Sequence, residues 1–547
     1  MVKRIRFHAM LAASVAASAA MAISTSVAAQ QQHKNDIVQQ NSQSTRYDGH
    51  KIIRAFIRNA DDLALMDAIS PDMWSENAGI GLVDYRIPPE NRPLLDQSGI
   101  QYEVLIENVQ TLIDEEFKKI HKRGGGNIAL GPQWYLSYHN LADVMTYLDD
   151  LAAQFPNLAD VTTIGTSIQG RPIRALHITG AGGPNRPTIV IESNQHAREW
   201  VTLPGTMYIA EQLLTNYGTD PDITALVNAL NIHVIVSVNP DGYNYTWTDK
   251  RLWRKTRRNN GGGSYGVDSN RNWATGWGGE GSSGDKWSDI YRGTAPFSEP
   301  ETQTMRDFMN SLPRVDGFID YHSYSQLVLQ PWGYTRTLPP DHAVLDQVGG
   351  LMANAAQSLY GKQYVHGPAY TTIYPASGVA GDWPYDAFGA LAYTIEMRDQ
   401  GQFGFLLPEN QITPAAEEGF AAFMQLAQFI NQDCLGLTVD NLVSNQQAIF
   451  AVSGATPGAT VAVLYSTQTG QFTYNSGGWC LDFGLKIPAS KAQSRVVVMG
   501  VANSNGNYTN SKRIPGSAQG LTIHFQAGEK DTCPDSCMSN ILSDTVQ

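Results

Sequence analysis

The chain has 547 residues, of which 42% are hydrophobic and 16% charged, so it is too long for one compact domain and can bury a sizeable core. A formal net charge of −13 argues against nucleic acid as its partner.

The N-terminus places Lys3, Arg4 and Arg6 ahead of an apolar stretch from Met10 to Ile23, followed by the small residues Val27, Ala28 and Ala29. That layout reads as a secretory leader over residues 1–29, too short to span a bilayer, and no later stretch is apolar enough to act as a membrane anchor. The protein is therefore expected to be secreted or periplasmic, and the alanine-rich leader points to a bacterial source. Residues 30–49 are rich in Gln and Ser and read as a disordered spacer.

Structure is expected from about residue 50: strand 51–57, helix 60–69, strand 79–85, helix 89–97, strand 102–106 and helix 109–120. This is a small open αβ unit covering residues 50–123. Its end is basic and then glycine-rich, KKIHKRGGG from Lys118 to Gly126, and reads as a flexible, protease-accessible linker.

From 124 to 433 helical stretches (141–154, 201–214, 302–311, 343–360, 414–430) alternate with short apolar strands (174–178, 188–191, 232–238, 317–322, 392–396). Such alternation predicts an α/β domain with its site at strand ends. Residues 434–547 change texture to short Thr-, Ser- and Val-rich alternations, expected to form a small β-domain. All four cysteines (Cys434, Cys480, Cys533, Cys537) fall there, and in an oxidising compartment they predict two disulfides, with three pairings open.

The most informative stretch is PTIVIESNQHAREWVT, residues 187–202, a β-branched run that ends by delivering His196, Arg198 and Glu199. The His-x-x-Glu spacing lets an imidazole and a carboxylate reach one point, which suits Zn²⁺. A third ligand is sought elsewhere, and His322 in GFIDYHSYS ends another strand-like run. Two histidines, one carboxylate and an open position for water describe a catalytic zinc.

Further motifs accompany these: RLWRKTR (251–257), GVDSNRNW (266–273), His322-Ser323-Tyr324, Thr372-Ile373-Tyr374 and YTIEMRD (393–399). In this order they resemble the funnelin zinc metallocarboxypeptidases of the pancreatic carboxypeptidase A/B-like branch, over a span from about Trp134 to Ile430. Upstream, GIQYEVLIENVQ (99–110) resembles the end of that branch's inhibitory pro-domain. The resemblance implies a mixed, eight-stranded-type sheet flanked by helices, preceded by an open αβ sandwich that blocks the site until it is removed.

It also implies roles. His196, Glu199 and His322 would hold one Zn²⁺, with Asp268 orienting the first histidine. Glu396 would be the general base and Arg254 the cation facing the oxyanion. Asn270, Arg271 and Tyr374 would clamp the substrate's terminal carboxylate, Arg198, Ser323 and Tyr324 would line the groove, and Arg suits a clamp because its planar fork binds carboxylates bidentately.

The residue before Asp382-Trp383, which sets side-chain preference in this family, is Gly381. With Leu329, Gly333, Val379 and Thr394 as expected walls, the pocket should be roomy and apolar and select aromatic or large aliphatic C-terminal residues. Asp386 is the residue that could instead add a basic preference. The expected partners are peptides and proteins with a free C-terminal carboxylate and an activating protease, and the expected state is a monomer. The alternatives are a carboxypeptidase of cell-wall peptides and a catalytically idle binding module.

Overall fold

The computed structural model describes residues 45–547 except 71, 76–79, 124–129, 181–185, 433–434, 454, 456–457, 477–478, 489–490, 492, 504–505, 531–538 and 540–541. The expected leader, most of the spacer, and Cys434, Cys533 and Cys537 lie outside the described residues.

The chain begins with β1 (Lys51–Ile57), α1 (Ala60–Ile69), β2 (Gly81–Ile87), α2 (Arg92–Gln97), β3 (Tyr102–Ile106) and α3 (Val109–Arg123). The strands form an antiparallel sheet in the order β2-β1-β3. Alternation along β1 turns Ile53, Ala55 and Ile57 toward Met66, Ile69, Val83 and Tyr85, a core this unit closes by itself. Ile52 points the other way. It joins Tyr47, Trp74, Ile106, Val109 and Ile113 in a second cluster completed by Leu252, Tyr324, Phe405 and Leu406, far along the chain.

Two expectations for this unit are corrected. The second strand lies two residues later than expected, and α3 runs through Lys118–Arg123 instead of giving way to a flexible linker. Phe117 and Ile120 pack that stretch against the main core, and cations near a helix C-terminus meet the negative end of its dipole.

Next come α4 (Leu141–Gln154), β4 (Ala159–Thr166), β5 (Pro172–Thr179), β6 (Thr188–Ser193), α5 (Thr202–Thr215), α6 (Pro221–Ala229), β7 (Asn231–Ile235) and α7 (Pro240–Thr248). A short hairpin, β8 (Asn259–Gly261) and β9 (Ser264–Tyr265), precedes α8 (Pro300–Ser311), β10 (Gly317–Ser323), β11 (Leu327–Gln330) and α9 (His342–Tyr360). The remainder is β12 (Val365–Pro368), α10 (Ala369–Thr372), α11 (Asp382–Phe388), β13 (Leu391–Met397) and α12 (Ile412–Gln432).

Eight strands make one mixed sheet in the order β12-β11-β13-β10-β6-β7-β5-β4. Its centre, β13-β10-β6-β7, is parallel. Every residue of β6 and β10 is buried, which is why both read as continuous apolar runs in place of alternation. Helix α12 packs against α5 and α9, covering one face.

The last unit holds β14 (Gly436–Asp440), β15 (Gln447–Ser453), β16 (Thr460–Ser466), β17 (Thr469–Ser476), β18 (Trp479–Leu485), β19 (Val496–Val501), β20 (Tyr508–Arg513), β21 (Thr522–Lys530) and β22 (Leu542–Thr545). Sheets β14-β15-β20 and β19-β16-β21-β22 share a core that includes Phe450, Val461, Val463 and Phe525, and β17-β18 forms a separate hairpin. No helix among the described residues is long and apolar enough to cross a membrane.

Candidate active site

The ends of three adjacent parallel strands converge. Glu192 of β6 is level with Asp320 of β10, and His322 of β10 is level with Glu396 of β13. Past the end of β6 the chain turns, and the turn carries His196 and Glu199, both buried.

His196 Nδ1 lies 2.8 Å from Glu199 Oε1, His322 Nδ1 lies 3.0 Å from Glu199 Oε2, and the two Nδ1 atoms are 3.1 Å apart. Donors bound tetrahedrally at the ~2.0 Å typical of zinc lie about 3.3 Å from one another. Two ring nitrogens and a carboxylate crowded together in a buried space can share one cation, and among the described residues this is the one group of three such donors. The residues therefore fit a zinc ion.

The electrostatics agree. Burial alone would push Glu199 up, but His196 and His322 outweigh it and hold the carboxyl below its ordinary range. Burial would push His322 down, and Asp320 and Glu199 more than offset it, keeping the imidazole well above its usual value while no metal is bound. A cation therefore displaces a proton as it enters.

Behind the ligands, Asp268 Oδ1 faces His196 Nε2 at 3.1 Å, while its Oδ2 accepts from Arg254 Nε and Nη2 at 3.2 and 3.0 Å. Burial opposes the Asp268 charge, but Arg254 and His196 hold the carboxyl well below its usual range. Arg254 Nη1 stands 4.0 Å from Glu199 Oε1, beside the ligand cluster. The backbone N–H of Ser323 donates to Glu199 Oε2 at 3.2 Å.

Arg271 is buried, with Nη1 donating to the Asn270 carbonyl at 2.7 Å, Nε to the Gly281 carbonyl at 2.8 Å and Nη2 to the Tyr374 hydroxyl at 2.6 Å. Gly378, at φ +75°, lets its loop approach the Arg271 carbonyl, which a Cβ would meet at 2.6 Å. Asn270 Nδ2 is 3.3 Å from His322 Nε2, tying this group to the ligands.

Gly333, Val379, Gly381 and Thr394 are neighbours. A Cβ on Gly333 would lie 3.2 Å from Val379 Cγ2, and one on Gly381 would lie 3.0 Å from Thr394 Oγ1. Leu329 pairs with Thr394 across β11 and β13. Both Asp382 oxygens accept the Gly333 N–H, at 2.9 and 3.0 Å, and burial lifts this carboxyl to about 7. Asp386 is exposed and accepts from Thr275 Oγ1 at 2.8 Å.

The first unit covers this site. Asp72 accepts from Arg198 Nη1 at 3.0 Å and is also paired with Arg86 of its own unit. Asp84 accepts from the Tyr324 hydroxyl at 2.9 Å and from Arg54 Nε at 2.7 Å. Trp74 lies against Phe405, with ring centroids 5.0 Å apart, and Glu116 of α3 pairs with Arg251 at 2.7 Å.

Asp72, Trp74, Asp84, Glu192, Gln195 and Asp320 were not singled out from the sequence. Asp320 carried a signal, a lone carboxylate in an otherwise apolar strand and two residues from a ligand.

Comparisons with known proteins agree with this geometry. Residues 144–422 match the family model described as "Zinc carboxypeptidase", and residues 53–116 match "Carboxypeptidase activation peptide". Carboxypeptidase A1 of Sus scrofa is 38% identical over 392 residues, covering 70% of this chain and 93% of that protein.

Among solved structures, thrombin activatable fibrinolysis inhibitor aligns with a TM-score of 0.65 at 28% identity, covering 70% of this chain and 99% of its own. A carboxypeptidase A from Helicoverpa armigera aligns at 0.63 and 30% identity, covering 70% and 98%. The curated relatives are animal proteins, and they lend no support to the bacterial source expected from the leader.

Proposed function

Because the chain belongs to the zinc carboxypeptidase family, with an activation peptide ahead of its catalytic unit, we propose that it is the secreted zymogen of an A-type enzyme that removes aromatic or large aliphatic residues from peptide C-termini. The observation that carries this reading is the buried His196–Glu199–His322 cluster, with Glu396 level with His322 on the next strand.

Zinc held by His196, Glu199 and His322 supplies Lewis acidity toward a carbonyl oxygen and a water of lowered pKa. Glu396 is the group that takes the proton of the attacking water as its oxygen bonds to the carbonyl carbon. It then gives that proton to the amine nitrogen as the C–N bond breaks. Arg254 steadies the negative charge that develops on the carbonyl oxygen, and Asp268 keeps its guanidinium in place.

Arg271, oriented by backbone carbonyls on two sides, offers its remaining N–H groups with Asn270 and Tyr374 to the substrate's terminal carboxylate. The glycines at 333 and 381 keep the side-chain pocket open, and Leu329, Val379 and Thr394 give it an apolar lining. Asp386, itself exposed and held by the buried Thr275 hydroxyl, supports no basic preference.

Latency follows from the cover. Asp72 occupies Arg198 and Asp84 occupies Tyr324, so a substrate running along the groove meets both already engaged. In this reading residues 1–29 export the chain, 30–49 are a spacer, 50–123 are the inhibitory unit, 124–433 the catalytic unit and 434–547 a β-rich extension beyond the family match. A protease that cuts between the first two units releases a monomeric enzyme.

The test is hydrolysis of blocked dipeptides ending in Phe, Leu, Arg and Glu by intact and trypsin-nicked protein, with and without a zinc chelator. Chelator-sensitive release of Phe or Leu that rises on nicking is expected. Preference for Arg would overturn the pocket, and no release by nicked, zinc-loaded protein would overturn the exopeptidase reading.

A further inference from the structure

One buried polar group beneath the ligands has no part in the chemistry above. Glu192 and Asp320 stand opposite one another on β6 and β10, both fully buried. Gln195 lies between them, its Nε2 donating to Glu192 Oε1 at 3.0 Å and to Asp320 Oδ2 at 2.7 Å. The amide's orientation is fixed by Trp273, whose Nε1, a donor only, meets Gln195 Oε1 at 3.2 Å. Carboxylates in such a place are costly unless they are partnered, and Asp320 has a specific partner. It shares a strand face with His322, two residues on, and its Oδ2 is 2.6 Å from His322 Nε2.

We propose that Asp320 is a positioning residue for His322: it accepts the Nε2 proton, and so leaves the Nδ1 lone pair aimed at the point shared with His196 Nδ1 and Glu199. The inference rests on the zinc carboxypeptidase reading and adds a second carboxylate–histidine pair to it.

The two pairs are unequal. Asp268 divides its charge between His196 and the two N–H groups of Arg254, and its contact with His196 Nε2 is 3.1 Å. Asp320 Oδ2 meets an amide and the imidazole, its Oδ1 meets no donor among the described residues, and the contact to Nε2 is the shorter one. Asn270 Nδ2 also faces Nε2, but at 3.3 Å, while its own Oδ1 is engaged by the Ala380 N–H at 2.8 Å. His322 thus owes its ring orientation to Asp320, and metal retention depends on that contact. Second carboxylates of this kind typically contribute about 10–100-fold in metal affinity.

The experiment follows zinc loss from the full chain to a chromophoric chelator for wild type, Asp320→Ala and Asp320→Asn. In parallel, zinc-loaded wild type labelled with ¹⁵N-histidine is read by NMR for the tautomer of His322. Asp320→Ala should lose zinc about 10–100-fold faster, and Asp320→Asn should fall between it and wild type. The His322 ring should carry its proton on Nε2. Zinc loss by Asp320→Ala within about twofold of wild type, or a proton on Nδ1, overturns the proposal. If neither variant folds, the wild-type tautomer decides alone. A wild-type chain that holds no zinc would instead overturn the family-based reading, before any variant is compared.

Discussion

The ligand pocket and the seam that covers it are both built from buried charges, yet they are wired differently. In the pocket every pair lies within the catalytic unit: His196 with Glu199 and Asp268, His322 with Asp320, Arg254 with Asp268. In the seam Asp72 and Asp84 of the first unit each hold two partners, one on each side, while Glu116 pairs with Arg251 across it. Asp72 joins Arg86 to Arg198, and Asp84 joins Arg54 to Tyr324.

When the units part, Asp72 and Asp84 keep their own arginines, whereas Arg198 and Tyr324 lose their partners and face the groove. A carboxylate that is already paired has a smaller desolvation debt when it docks, and leaving one buried charge unpaired is what makes broken pairs costly. At Asp72 and Asp84 the seam is thereby built to part, whereas the pairs of the pocket have no such second partner across a boundary.

The largest effect that would test this contrast is inside the pocket. Glu396→Gln should lower kcat of the nicked enzyme by ~10²–10⁴-fold with little change in KM, because a positioned general base contributes about that much. A loss below tenfold would remove Glu396 from the proton path.

In the seam, Asp72→Ala leaves Arg198 buried without its carboxylate, which should weaken the cover by about 3–5 kcal/mol. The readout is activity of the intact chain toward a blocked dipeptide. An unchanged, latent zymogen would show that this ion pair does not hold the cover.

A pH series separates the two regions by sign. Burial raises Asp382, in the pocket wall, to about 7, so its contribution to stability is full below about pH 4 and is lost as pH rises through about 7. Asp72 runs the other way: burial opposes its charge, but Arg86 and Arg198 hold it below its ordinary value. Its contribution is present above about pH 4 and is lost only in stronger acid. Asp382→Asn should therefore flatten the decline of chelator-stripped protein between about pH 4 and 7, worth ~2–4 kcal/mol at most, as followed by denaturant titration. A decline that persists in Asp382→Asn would assign it to another group.

The smallest effect is expected for Tyr324→Phe. It removes one hydroxyl from a carboxylate that keeps its arginine, so intact-chain activity should rise about 10–100-fold, for a hydrogen bond to a charged group worth ~1.5–3 kcal/mol. A rise as large as that of Asp72→Ala would mean that the hydroxyl matters beyond its bond.

What could be read in the sequence divides along the same line. His196 and Glu199 sit three residues apart after a β-branched strand, and β6, β10 and β13 each read as a short apolar run, so the ligands were legible locally while the register between the strands was not. The strand β4 was missed because it lies at the sheet edge and all of its sequence, ADVTTIGT, but Ala159 is exposed or half-exposed. Helix α7, PDGYNYTWT, was missed because Gly, Thr and aromatic residues are weak helix formers; it relies on Pro240 at its start and on Asn239, whose side chain accepts from the Gly242 N–H.

The seam was illegible for a different reason. Asp72, Trp74 and Asp84 meet Arg198, Phe405 and Tyr324 across more than a hundred residues of chain, and such pairing has no short-range signature.

The parallel register of the central strands also constrains how this enzyme can vary. Sliding β10 or β13 by one residue would move its proposed site residue, His322 or Glu396, about 3.3 Å along the strand and turn it to the opposite face of the sheet. In the roles proposed for them His322 and Glu396 cannot then drift by small steps, since an insertion or deletion that shifts this register would take one of them off the site. Loops do not have that all-or-none character. The segments carrying the proposed pocket residues Gly333, Tyr374, Val379 and Gly381 lie between strands, so in that reading the breadth of substrates would shift by single changes there while the hydrolytic chemistry stays fixed.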